Sequence, residues 1–185
     1  MESAARSSEA VGPPDRPRSR RQTIGTAVDL DQFVASVRPQ LVGVLTIRTG
    51  DRHVAEDLAQ EALARAIADW ATVGSMASPI GWVHRVALNL AASHWRRLAA
   101  RRRAERRTDR NEAAPPLLTA EAIALRAALE HLSERQRQVI LLRYYVGFDV
   151  ADTALALEIA PSTVTTLTAR AVASLRRGLE DDDGR

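Results

Sequence analysis

Three groups of side chains in the 185-residue sequence have types and spacings that could do chemistry. Asp57, Gln60 and Glu61 fall three and four residues apart, so on a helix they share one face. Carboxylates and an amide placed this way can take charge-assisted hydrogen bonds from an arginine-rich partner, although a plain solvated helix face has the same appearance. Arg85, Asn89, Ser93 and Arg96 recur at four, four and three residues and are followed by Arg97. A polar stripe of arginine and asparagine is compatible with nucleic acid, because guanidinium forks suit phosphate. The third group, Ser162, Thr163, Thr165, Thr166 and Arg170, lies along a helix that Pro161 would start. Its hydroxyls can bond base edges or phosphates, less selectively than a bidentate Arg or Asn.

Catalytic chemistry has no comparable support. His53, His84, His94 and His131 lack metal-ligand spacing, there is no cysteine, and no phosphate-binding glycine loop occurs. The expectation is a protein that is not an enzyme and has no metal or cofactor, its histidines structural or at the surface.

The elements that position these groups are helical. Composition is globular, 45% hydrophobic and 26% charged, and no stretch sustains two-residue alternation, so the fold class expected is all-α. No run of 18 apolar residues occurs, and residues 1–22 have no apolar core, so neither a membrane span nor a signal peptide is expected and the reading is cytoplasmic. Apolar spacing predicts a helix from Asp29 through Leu45 with a local kink at Pro39, then a break and cap at Gly50 and Asp51. A second helix is expected from His53 to Trp70, and a third from about Ile80 with Val83, Val86, Ala87, Leu90 and Ala91 inward. Trp70, Trp82 and Trp95 read as core packing.

Net charge is only +3, but Ala92 to Arg110 holds eight arginines against two acids. All 26 basic side chains are arginine, which fits GC-rich coding and also suits phosphate. The chain divides into a tail (1–26), a first helical domain (27–102), a basic, proline-containing flexible linker (103–118), a second domain (119–179) and an acidic end (180–185). In the second domain Thr119 is a candidate cap, Ala122 to Leu132 an alanine-rich helix, and Ser133 with Gln136 a capping box for a helix ending near Gly147. The run from Val150 to Leu167 fits a helix-turn-helix, with Ala154 at the crossing, Ile159 in the turn and Val164, Leu167 or Thr168, Ala171 and Leu175 inward. An ordinary helical hairpin would show the same local pattern.

Four motifs occur in order: Val54-Ala-Glu-Asp-Leu-Ala-Gln-Glu-Ala-Leu followed by Trp70; Pro79-Ile-Gly-Trp-Val-His-Arg-Val-Ala-Leu-Asn-Leu; Trp95-Arg-Arg; and Leu132-Ser-Glu-Arg-Gln-Arg-Gln-Val-Ile-Leu-Leu-Arg-Tyr-Tyr. From about Asp29 to Leu179 the chain resembles the extracytoplasmic-function (ECF) group of the bacterial sigma-70 family, most closely its actinobacterial branch. The resemblance implies an alternative sigma factor: one domain melting and reading the −10 promoter element, the other reading the −35 element, both docked on the clamp and flap of core RNA polymerase. Promoter DNA and an anti-sigma factor are the further partners it implies. By position, Asp57, Gln60 and Glu61 match the clamp-binding helix. Residues 73–78, with Gly74, Ser75 and Met76, match the loop that captures a flipped non-template base, and Asn89 matches a polar position beside it. Arg85, Ser93, Arg96 and Arg97 would lie along the opened strand, and Ser162, Thr163, Thr165, Thr166 and Arg170 would face the −35 element.

The sequence departs from the family pattern in its second domain. Glu158 stands where the turn commonly has glycine, and Thr165 and Leu167 replace basic positions. Asp149 and Asp152 add to the local acidity, so affinity there would rest on Arg143, Arg170, Arg176 and Arg177. Two other readings follow: a self-sufficient helix-turn-helix regulator, and a degenerate sigma-like module that occupies polymerase without reading promoters.

Overall fold

The computed structural model describes residues 29–105 and 120–183. The expectations for the tail, for the Thr119 cap and for most of the linker lie outside these residues. Among the described residues every regular element is helical.

Helix α1, Leu30–Thr49, begins where Asp29 accepts from the Asp31 amide and runs through Pro39 without interruption. It stops at Gly50, whose φ of 75° is the left-handed conformation that glycine adopts without a Cβ penalty. Asp51 caps the next helix, taking the amides of His53 and Val54 at 2.8 and 3.3 Å. Helix α2, Arg52–Ala68, ends two residues before Trp70, which instead opens the one-turn α3, Trp70–Val73. Its buried face is mostly alanine, with Ala55, Ala59, Ala62 and Ala66 fully covered, so α1 and α2 approach closely. Helix α4, Pro79–Glu105, lays Val83, Ala87, Leu88 and Ala91 on both and runs three residues into the segment expected to be linker.

The second lobe comprises α5, Ala120–Glu130, α6, Glu134–Ile140, α7, Val150–Leu157, and α8, Pro161–Asp183. The Ser133–Gln136 capping box forms in both directions. Helix α6 continues through Leu141–Val146 in π-helical register before Gly147 closes it at φ 87°. Helix α8 continues to Asp183, carrying helical backbone into the acidic end.

The two lobes share one hydrophobic core. Gln40 donates to the Val146 carbonyl at 2.9 Å, and the Arg126 guanidinium sits 4.9 Å from the Trp95 ring centroid. The Tyr145 hydroxyl lies where a Cβ on Gly43 would be, so this glycine permits the contact between α1 and the π turn. Trp70 packs on Phe33 at 4.8 Å between ring centroids, and the Trp95 indole donates to the Arg48 carbonyl. Both therefore hold the core, as does half-buried Trp82.

Candidate nucleic-acid interface

The alanine face of α2 is buried, which by helical geometry turns Asp57, Gln60 and Glu61 outward, and all three are exposed. Glu61 accepts from Arg65 on the same helix, with both side chains about half exposed. Solvent screening makes such a pair cheap to exchange for a partner's arginine.

After α2, α3 and residues 74–78 form a short, largely exposed loop. Buried Val73 anchors it, and Gly74 lies so close to Trp70 that a Cβ would meet the Trp70 carbonyl oxygen at 2.9 Å. Ser75 donates its hydroxyl to the Thr72 carbonyl at 2.7 Å, leaving Met76 as an exposed apolar side chain at the tip. Ser78 then accepts from the Gly81 amide and fixes the start of α4.

The expected polar stripe exists on α4, but its two halves differ. Ser93 accepts from Arg96 at 2.9 Å, and Arg96 and Arg97 are exposed. Arg85 forms an ion pair with Glu158 of the second lobe, and the Asn89 side-chain oxygen accepts from Gln138 at 3.0 Å. Hydrogen bonding and charge from Arg85 hold the Glu158 carboxyl below the usual carboxylate range. Beside Arg85, His84 is fully buried against the edge of Phe148, its Nδ1 on the Ile80 carbonyl and its Nε2 without a hydrogen-bond partner. Burial lowers its pKa, so the ring is neutral, with the Nδ1 proton on the carbonyl.

The helix-turn-helix is built as its spacing required. Asp149 caps α7, Ala154 is buried, and Ile159 is partly buried with its amide on the Ala154 carbonyl. Val164 and Ala171 are fully buried, while Ser162, Thr163, Thr165, Thr166 and Arg170 are exposed. Thr165 and Thr166 donate their hydroxyls to the Pro161 and Ser162 carbonyls, leaving lone pairs and methyl groups facing outward. That surface suits base amino groups and thymine methyls better than phosphate. Arg170, Arg176 and Arg177 are exposed. Arg143 differs from the other three: it is half-buried, with Nε and Nη1 buried and without hydrogen-bond partners.

Residues 33–102 match the family described as Sigma-70 region 2, and residues 122–175 match Sigma-70, region 4. The ECF RNA polymerase sigma factor SigL of Mycobacterium tuberculosis is 34% identical over 140 residues, covering 72% of this chain and 78% of that protein. The chain belongs to the ECF RNA polymerase sigma factors. A second relative of this ECF sigma factor, the RNA polymerase sigma-E factor of Streptomyces coelicolor, is 29% identical over 160 residues, covering 84% of the chain and 89% of the relative. Both sources are actinobacterial. The fold also resembles two solved structures. RpoE in complex with the anti-sigma factor NepR from Bartonella quintana has a TM-score of 0.64 at 24% identity, covering 82% of this chain and 97% of that one. CnrH in complex with the cytosolic domain of CnrY has a TM-score of 0.61 at 21% identity, covering 85% and 92%.

In this ECF sigma factor the region 2 match contains α2, the loop and most of α4, and the region 4 match contains the helix-turn-helix. Sequence reasoning missed Gln138, which had no signal beyond being a polar residue within an apolar helix. Glu158 did carry a signal, a charged side chain at the turn, where it takes φ 54°. Among the described residues no helix is long and apolar enough to cross a membrane.

Proposed function

We propose that the first lobe binds core polymerase and opens the −10 region while the second reads the −35 element, as a cytoplasmic, non-catalytic initiation subunit. The observation that carries this reading is the exposed Asp57, Gln60 and Glu61 face of α2 together with the loop of Gly74, Ser75 and Met76, both within the region 2 match. The α2 face docks on the polymerase clamp through its carboxylates. Removing a base from the stack costs a few kcal/mol, and the loop offsets it with the apolar Met76 and edge hydrogen bonds. By the family resemblance Asn89 is a polar position serving that loop, and Arg85, Ser93, Arg96 and Arg97 hold the opened strand by its phosphates. Ser162, Thr163, Thr165, Thr166 and Arg170 face the −35 element, and the second lobe docks on the polymerase flap. The solved RpoE structure, bound to the anti-sigma factor NepR, supports an anti-sigma partner for this chain as well.

Runoff transcription with actinobacterial core polymerase and a genomic promoter library tests the reading. Promoter-specific transcripts that depend on the added protein are expected, and their absence overturns it. On a promoter so found, Asn89→Ala should lose more activity on duplex DNA than on a template already opened across the −10 region, because pre-opening removes the unstacking cost. Equal losses would mean that Asn89 only positions the lobe.

A further inference from the structure

A second arginine-rich segment lies ahead of α1, outside the described residues, and the roles proposed above leave it unused. Arg16, Arg18, Arg20 and Arg21 place four guanidinium groups within six residues, and no acid occurs between Asp15 and Asp29 to offset them. We propose that residues 16–21 dock on the exposed Asp57, Gln60 and Glu61 face of α2 in the free chain and compete there with core polymerase. The competition rests on the docking role proposed for that face.

The chemistry of the two surfaces is complementary. The Asp57 and Glu61 carboxylates and the Gln60 side-chain oxygen are acceptors, and arginine is a donor-only cation whose fork fits a carboxylate. Asp57 makes no ion pair among the described residues, and Glu61 is held by Arg65 of its own helix at 2.8 Å, both side chains about half exposed. A guanidinium from elsewhere in the chain can replace Arg65 with little loss, because an exposed pair is screened by water and salt. A face that fits an arginine-rich partner helix thus fits an arginine-rich segment of its own chain.

The segment also joins the fold near this face. Helices α1 and α2 meet at Gly50 and Asp51, and at the other end the Phe33 ring rests on Trp70, just past α2, with 4.8 Å between centroids. The chain therefore enters α1 at Asp29 close to where α2 ends. Glu61 lies about 12 Å back along the α2 axis from Asp69, and Asp57 about 18 Å, at 1.5 Å per residue. Arg21 and Arg16 stand eight and thirteen residues before Asp29, which can span up to about 26 and 43 Å. Both acids are within reach. A connection this short holds the segment at about millimolar effective concentration, which gives weight to pairs that each shift an equilibrium by at most about fivefold. The contact is reversible, so a partner with a packed interface displaces it.

The contact can be read on the full free chain. The sequence has no cysteine, so Ser19→Cys supplies a single attachment point for a nitroxide spin label. At 50 mM NaCl the label should broaden the amide signals of residues 57–61 at least twofold more than in the same protein carrying Arg16→Gln, Arg18→Gln, Arg20→Gln and Arg21→Gln together. At 0.5 M NaCl the difference should vanish, because the screening length falls from about 14 Å to about 4 Å. No excess broadening at 57–61, or excess that persists at high salt, overturns the proposal. Without the label, the fourfold Gln variant should bind core polymerase about three- to tenfold more tightly than the wild type at 50 mM NaCl, and equally at 0.5 M. Unchanged core affinity at low salt, with weaker binding to a duplex DNA pool, would assign the arginines to phosphate and overturn the proposal. If neither protein binds core, the proposed function of the α2 face fails instead, and the broadening in the free chain still decides the contact.

Discussion

Arg48 of α1 donates through Nη2 to Oε2 of Glu134, 2.9 Å away and 86 positions along the chain. Arg48 is 7% exposed, and burial lowers its pKa while the Glu134 charge opposes that shift. The same carboxylate oxygen accepts from Arg137 at 3.1 Å, so one acid serves a cation from each lobe. The lobe contact thus includes a partly desolvated ion network that fails if its acid is removed.

Glu134→Ala should therefore destabilise the chain by about 2 kcal/mol, less than the roughly 3–5 kcal/mol of a fully buried pair because Glu134 is 39% exposed and screened. A fall in Tm of about 4–8 °C is expected. Replacing both partners, Arg48→Met with Glu134→Ala, should recover most of the loss. Thermal unfolding of the three proteins checks this, and a single variant as stable as the wild type contradicts it.

Stability should also depend on His84. Its folded pKa lies below the ordinary 6.5, so between the two values the unfolded chain binds the extra proton. The contribution of the neutral ring is complete above about pH 7 and is lost as pH falls below 6.5, with a slope of at most about 1.4 kcal/mol per pH unit. Glu158, whose pKa is also lowered, adds stability that disappears only as pH falls through the carboxylate range. Urea unfolding between pH 7.5 and 5.5 should show the decline in the wild type and its absence in His84→Leu. Parallel curves would place the titration elsewhere.

The double change Asp57→Arg with Glu61→Arg should abolish association with core polymerase without unfolding α2. Both positions are exposed and arginine is a good helix former, so only the charge of the face is inverted. Co-purification with core at wild-type yield, with an unchanged circular dichroism spectrum, would remove the assignment of this face.

On α8, Thr166→Ala should cost about 1 kcal/mol and alter preference at one or two −35 positions, since its contact is a single acceptor or methyl. Thr165→Arg should tighten binding across sequences and steepen the salt dependence by roughly one unit, because it adds a phosphate-directed charge. Holoenzyme binding to a randomised −35 library at several salt concentrations reads both. No −35 preference in the wild type, together with no effect of Thr165→Arg, would make the second lobe a polymerase-docking module.

Local signals determined much of this protein by themselves. Gly50 and Asp51 separate α1 from α2, Ser133 with Gln136 starts α6, and Pro161 starts α8, because caps and turns are settled by groups three or four residues apart. Helical period placed Val83, Ala87 and Ala91 inside and left Asp57, Gln60, Glu61 and the α8 threonines outside, and the ordered motifs named the family. Tertiary structure decided what covers what. Pattern alone cannot show that Gln138 holds Asn89, that Glu158 reaches Arg85, or that Gly81 admits Ala156, since these depend on two surfaces matching across 49 to 75 positions of chain. Nor could it show the π register at Leu141–Val146, which alters backbone bonding without a distinctive residue type. Each such contact is individually weak, and only the shape of both lobes together makes them form at once.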